Sequence, residues 1–173
     1  MSRSQMPASN KSQQSNFLLR SPVGFFLGTI EKDVLVSLQW WAHPPSIYEQ
    51  ETELAHFIKQ SLASYFTMKR DRWDFTFLLP GTPEEKQVYI SLLKIPYGST
   101  LTYGELAKIV NKPRAARWIG HVLSKNPLLI VIPCHRVVRK DRIGEYSAGG
   151  SSTKAWLLQW EKQQASPGCT PPS

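Results

Sequence analysis

From Val23 to Trp40 the chain reads VGFFLGTIEKDVLVSLQW, apolar positions alternating with small or polar ones on either side of EKD. This predicts two strands joined at that charged step. In ETELAHFIKQSLASYF the period changes, and Leu54, Phe57, Ile58, Leu62 and Tyr65 recur at helical spacing. WDFTFLL then alternates Trp73, Phe75 and Phe77, which predicts a third strand. LLPGTP is Pro/Gly punctuation and reads as the link to a second, helical unit. There Thr82 caps a helix with Pro83 at its first position, Glu84 and Glu85 in its first turn, and Val88, Leu92 and Ile95 facing inward. A second helix starts at Thr102 with Glu105 completing a capping box. After the NKPR turn a third runs from Arg114 to Lys125 and stops at Asn126–Pro127. LLIVIPC reads as a buried strand ending at Cys134, and a last helix covers Thr153 to Lys162. The expected division is a polar tail over 1–16, an α/β unit over 17–79, a mainly helical unit over 80–163, and a second tail over 164–173.

Charge changes this picture. The formal net charge is +8 over 173 residues, and nine bases against two acids between Leu101 and Arg142 place +7 of it in one segment. Arg114, Arg117, His121 and Lys125 share one face of the third helix, while Ala116, Ile119 and Leu123 share another. A short helix, a turn and a helix with one basic face suit a phosphate backbone, although a solvated basic face has the same pattern. No apolar run approaches the length of a membrane span, so no membrane partner is expected. Two cysteines, Cys134 and Cys169, and four scattered histidines give neither a disulfide framework nor a zinc spacing, and no metal or cofactor is expected.

Candidate chemistry centres on IPCHRV. A cysteine ending an apolar run is usually a small hydrophobe. Here Pro133 fixes the backbone before the sulfur, His135 follows it, and nearby positive charge would lower the thiol pKa toward a nucleophilic thiolate. In an extended segment Cys134 and His135 would point to opposite sides, so a bent backbone or a water relay is required to join them. Glu161 lies three and four residues from Leu158 and Leu157 on the closing helix, where it either orients the histidine or is a solvated helix end. Asn126 either caps the third helix in a left-handed conformation or ties that helix to the cysteine segment through its amide.

Together GTP, IPYGSTLTYGELA, PRAARWIGHVLSKNP and above all IPCHRV resemble the O6-alkylguanine-DNA alkyltransferase family, over a span from about Ser21 to Lys162. The resemblance implies an α+β fold: a ribonuclease H-like N-terminal unit and a C-terminal unit with a winged-helix-like helix-turn-helix. It implies a partner, double-stranded DNA carrying O6-alkylguanine, bound by a monomer in the minor groove; cooperation between copies on DNA stays open. It implies suicidal transfer of a methyl or larger alkyl group to Cys134 after base flipping, with O4-methylthymine as a minor substrate. Cys134, His135, Glu161, Asn126 and Tyr103 would be catalytic. Thr102, Tyr103, Arg114, Ala115, Ala116, Arg117, His121, Lys125 and Arg136 would contact DNA, with Arg117 filling the gap in the stack. Val137, Tyr146, Ser147, Ala148 and Trp118 would line the pocket. Localisation would follow the genome, in the cytoplasm of a prokaryote or the nucleus of a eukaryote. Departures from the family pattern are the glutamates after GTP, Trp118 after Arg117, Leu129, and the spacing in GEYSAGG. Two other functions remain open on the residues alone. One is a lesion binder or helix-turn-helix regulator that transfers nothing; the other is a cysteine hydrolase, which would need an oxyanion hole.

Overall fold

The computed structural model describes residues 14–46, 52–67 and 72–165. Three antiparallel strands, β1 (Gln14–Ser21), β2 (Gly24–Glu31) and β3 (Val34–Trp41), form a sheet in the order β1-β2-β3. Lys32 and Asp33 both take positive φ, 49° and 63°, and close the β2–β3 hairpin with the twist that two-residue turns require. β1 begins at Gln14, inside the stretch expected to be tail, because Gln14, Ser15 and Asn16 pair with Glu31, Ile30 and Thr29. Helix α1 (Glu53–Tyr65) is capped by Thr52 and lays Ala55, Ile58, Leu62 and Tyr65 against the sheet. Phe57, expected on that inner face, is 44% exposed.

The expected third strand does not form. Phe77 makes one bridge to Leu35, flanked by the hydrogen bonds Leu35 N to Thr76 O and Leu78 N to Leu35 O. Trp73 and Phe75 are instead held by their rings, 5.7 Å apart, and by the indole N–H of Trp73 on Val131 O.

Helix α2 (Pro83–Leu92) and helix α3 (Tyr103–Ile109) each start on a complete capping box, Thr82 with Glu85 and Thr102 with Glu105. The dipeptide β4 (Leu101–Thr102) pairs in parallel with β5 (Val137–Val138). Helix α4 (Ala116–Ser124) packs on α3 through Ile119, Val122 and Leu123. Asn111, with φ 58°, reverses the chain between them. Helix α5 (Gly150–Ala165) is longer at both ends than the pattern predicts and runs into the expected tail.

The apolar run LLIVIPC is buried, but as turns rather than a strand. Ile130 takes φ 71°, Ile132 N returns to Leu128 O, and only Leu128 bridges the sheet, at Leu38. That run closes over the β3 edge, with Leu38 N on Pro127 O and Leu129 N on Leu38 O. One apolar core runs from Phe17 through Leu38 and Leu92 to Leu157, across the expected link at residues 78–83.

Gly28 is the tightest point of the sheet. The ring of its cross-strand partner Phe17 lies over its α-carbon, where any Cβ would overlap it. Gly28→Ala is therefore expected to destabilise the fold by about 1–3 kcal/mol, read as a lower melting temperature. An unchanged melting temperature would contradict this packing.

Candidate active site

Pro133, with φ −79° and ψ 62°, forms an inverse γ-turn in which Cys134 N donates to Ile132 O at 2.8 Å. A single 3-10 turn, Cys134–Arg136, follows directly. This is the bent backbone that adjacent cysteine and histidine need to act together. Asn126, just past α4, donates its amide to Ile132 O at 2.9 Å and to Cys134 Sγ at 3.1 Å, while its Oδ1 accepts from Leu128 N at 3.0 Å. Its φ is not left-handed, so of its two candidate roles the structure selects the tie between α4 and the cysteine turn.

Behind the cysteine turn lies Glu161, fully buried on α5. Its Oε1 accepts from Tyr65 Oη at 2.6 Å, His135 Nε2 at 2.7 Å and Arg136 Nη2 at 3.1 Å. Its Oε2 accepts from Arg136 Nε at 2.9 Å and Gly98 N at 3.1 Å. Burial alone would raise this carboxyl, but the bond to His135 and the guanidinium of Arg136 outweigh it and hold the group well below the usual carboxylate range. An ionised carboxylate can only accept, which fixes the proton of His135 on Nε2. Nδ1, buried and without a partner among the described residues, is then the nitrogen that can take a proton. Burial pushes the His135 pKa down, against the pull of Glu161, so the ring is neutral at rest.

Cys134 is 5% exposed as a residue and lines a cavity of about 800 Å³. Tyr103, Gly104, Ala116, Arg117, Gly120, and the segment from Glu145 to Ser147 form its walls. Burial pushes the thiol pKa up, and the Asn126 amide, the Lys154 charge and the backbone N–H groups of Cys134 and His135 offset this only in part. The expected lowering of the thiol pKa by nearby positive charge is outweighed by burial, and the group rests as a thiol for His135 to deprotonate. Among the described residues no three His, Cys, Asp or Glu side chains gather as a metal set.

Comparison with known proteins now bears on this geometry. Residues 83–163 match the family model for the DNA-binding domain of 6-O-methylguanine DNA methyltransferase. A methylated-DNA–protein-cysteine methyltransferase of Haemophilus influenzae is 36% identical over 149 residues, 82% of this chain and 83% of that one. The chain belongs to the methylated-DNA–protein-cysteine methyltransferase family. The solved O6-methylguanine methyltransferase of Mycobacterium tuberculosis superposes with a TM-score of 0.75 at 29% identity, covering 90% of this chain and 96% of that one. The OGT of the same organism in complex with DNA gives 0.72 at 31% identity, covering 87% and 94%. The α+β fold expected of the family is the one observed.

Within this methyltransferase fold the anticipated residues divide. Asn126 bonds Cys134 and Glu161 bonds His135, two pairs joined through the backbone of the 3-10 turn, and Tyr103 stands in the cavity wall. Arg114, Arg117, His121 and Lys125 are exposed in or beside α4, and Ala115 is the residue before its first turn. Thr102 and Ala116 reach the cavity, although the Thr102 hydroxyl is engaged in its capping box. Arg136 was expected on DNA and is not available to it. It is 3% exposed, paired with Glu161, and donates Nη1 to Ile95 O at 2.7 Å. Tyr146 and Ser147 line the cavity, whereas Val137 and Ala148 are fully buried and Trp118 lies outside it under the Lys112 ammonium.

The sequence reading missed Tyr65 and Lys154, and the cavity-mouth residues Arg139, Lys140 and Asp141. Lys154 had a readable signal, since Lys154, Leu157 and Glu161 fall on one face of α5 and all three are buried.

Folding favours the charged form of Glu161, so its contribution is full above the ordinary carboxylate range and lost as pH falls through the depressed folded value. Glu161→Gln removes this dependence and leaves Arg136 buried without its counter-charge, a loss of about 3–5 kcal/mol near neutral pH. Melting temperatures across the acid range are expected to show the gap between variant and parent narrowing as pH falls. A gap that stays constant would contradict an ionised Glu161.

Proposed function

We propose that this protein repairs DNA by moving a methyl or larger alkyl group from O6 of guanine onto Cys134, once per molecule. The observation that carries this reading is the placement of Cys134. That residue lines a cavity, backed by a neutral histidine whose far nitrogen is fixed on an ionised glutamate.

The thiol proton passes to His135 Nδ1, directly or through one water, and Glu161 stabilises the imidazolium that forms. The thiolate attacks the alkyl carbon; an S–C bond forms as the C–O6 bond breaks. The electron pair of the broken bond stays on the guanine, which takes up one proton to replace the alkyl group. Burial keeps the Tyr103 hydroxyl protonated, with the nearby sulfur adding to the effect, so it can donate to N3 of the leaving base. The thioether is unactivated, and its thiolate is too poor a leaving group for water to displace, so the alkyl group stays on Cys134 and each molecule reacts once.

A sulfur this deep cannot reach an atom in a stacked base, so the damaged nucleotide must leave the duplex and enter the cavity. The exposed α4 residues Arg114, Arg117, His121 and Lys125 would bind the backbone and place α4 in the minor groove. Arg117, at the cavity rim, would fill the space left in the stack.

Arg117→Ala separates these steps. It is expected to slow transfer from a duplex by roughly tenfold or more, the cost of an unfilled stack, while leaving reaction with free O6-benzylguanine nearly unchanged. Equal losses on both substrates would overturn the base-flipping role. Cys134→Ser is expected to retain duplex binding and transfer nothing.

A further inference from the structure

The site contains a buried cation that the transfer reaction as described does not use. Lys154 is 1% exposed, on the first turns of α5. Its ammonium donates to Glu145 O at 3.3 Å, its one hydrogen bond among the described residues, and lies 5.8 Å over the ring of Tyr103. Tyr103 on α3 and Glu145 on the loop that continues into Tyr146 and Ser147 both line the cavity, and Cys134 lines the same cavity. A lysine buried with a single neutral acceptor is costly to keep charged. Glu161, two turns along the same face, does not compensate it, since that carboxylate is taken by Tyr65, His135, Arg136 and Gly98. Two anions can act on Lys154, the Glu145 carboxylate, which is exposed to solvent, and the buried Cys134 thiolate.

We infer that Lys154 is a positioning residue for the transfer reaction: its buried ammonium supplies the counter-charge for the Cys134 thiolate and ties the two lining segments, at Tyr103 and Glu145, at the distance an extruded base requires. The inference rests on the alkyl-transfer reading of Cys134. The groups facing Lys154 are Cys134 on the 3-10 turn, Glu145 and Tyr146 on the following loop, Arg139 at the cavity mouth and Tyr103 on α3. Burial pushes the Lys154 pKa down, while Cys134 and Glu145 pull it back up and Arg139 opposes them. Ammonium and thiolate therefore stabilise each other, and the sulfur is easier to ionise than its depth alone would allow. Arg136, although close in sequence, is committed to Glu161 and Ile95 and cannot substitute.

The test is a titration of the thiol in the full chain carrying Cys169→Ser, which leaves Cys134 as the one cysteine. Thiolate absorbance and the rate of alkylation by iodoacetamide are followed against pH for the parent, Lys154→Gln, Lys154→Met and Lys154→Arg. Gln keeps a donor for the Glu145 carbonyl and removes the charge; Met removes both. With either, ionisation is expected to move to higher pH, and iodoacetamide alkylation near neutral pH to slow roughly tenfold. Arg is expected to restore the parent curve in large part. Should Met fail to fold, the Gln curve decides alone. A Gln curve that superimposes on the parent, with folding intact by circular dichroism, overturns the inference and leaves Lys154 a packing residue. The readout needs no DNA. A shifted titration with no methyl transfer from O6-methylguanine duplex in the parent would keep the electrostatic role and reject the alkyl-transfer reading.

Discussion

The site depends on one buried carboxylate. Glu161 has no contact with water, and it remains ionised because five hydrogen bonds converge on its two oxygens. The donors come from three parts of the chain: Tyr65 at the end of α1, Gly98 in the loop after α2, and His135 and Arg136 on the turn that carries the cysteine. Removing the charge would unsettle all of them, since a buried guanidinium and a buried imidazole both take their orientation from it. The carboxylate that pairs with Arg136 also fixes the tautomer of His135. Stability and chemistry share this centre, so the helical half cannot complete its site without Tyr65 of the sheet half.

Around that centre the electrostatics suit the single transfer proposed for Cys134. Burial protects the thiol from solvent and raises its pKa, and Asn126, Lys154 and two backbone N–H groups return part of that cost to the thiolate. A cysteine held as a resting thiol is less open to oxidation than an exposed thiolate. In the proposed reaction it becomes nucleophilic when His135 removes the proton.

Local rules made much of the fold legible. The Thr82 cap with Pro83 behind it, the Thr102–Glu105 capping box and the charged hairpin turn all depend on residues within three or four positions of one another, and each forms where the pattern places it. The failures come from long range. LLIVIPC has the composition of a strand, but the β3 edge offers it one bridge at Leu38, and Ile130 turns the chain away. Arg136 counts as positive charge in a basic segment, and nothing nearby in sequence reveals that its partner is Glu161 on the closing helix. Tyr65 lies ninety-six residues before the glutamate it bonds, and its helical period marks it only as core. IPCHRV pointed to the family, and the inverse γ-turn at Pro133 that bends the backbone at Cys134 is a local property of that string.

The most direct test of the account is a single-turnover incubation of the protein with a duplex carrying one O6-methylguanine, followed by peptide mapping by mass spectrometry. The account predicts one added methyl per molecule, on the peptide containing Cys134, with no further uptake when fresh duplex is supplied. A methyl on any other residue, repeated turnover, or tight duplex binding with Cys134 unmodified would contradict it.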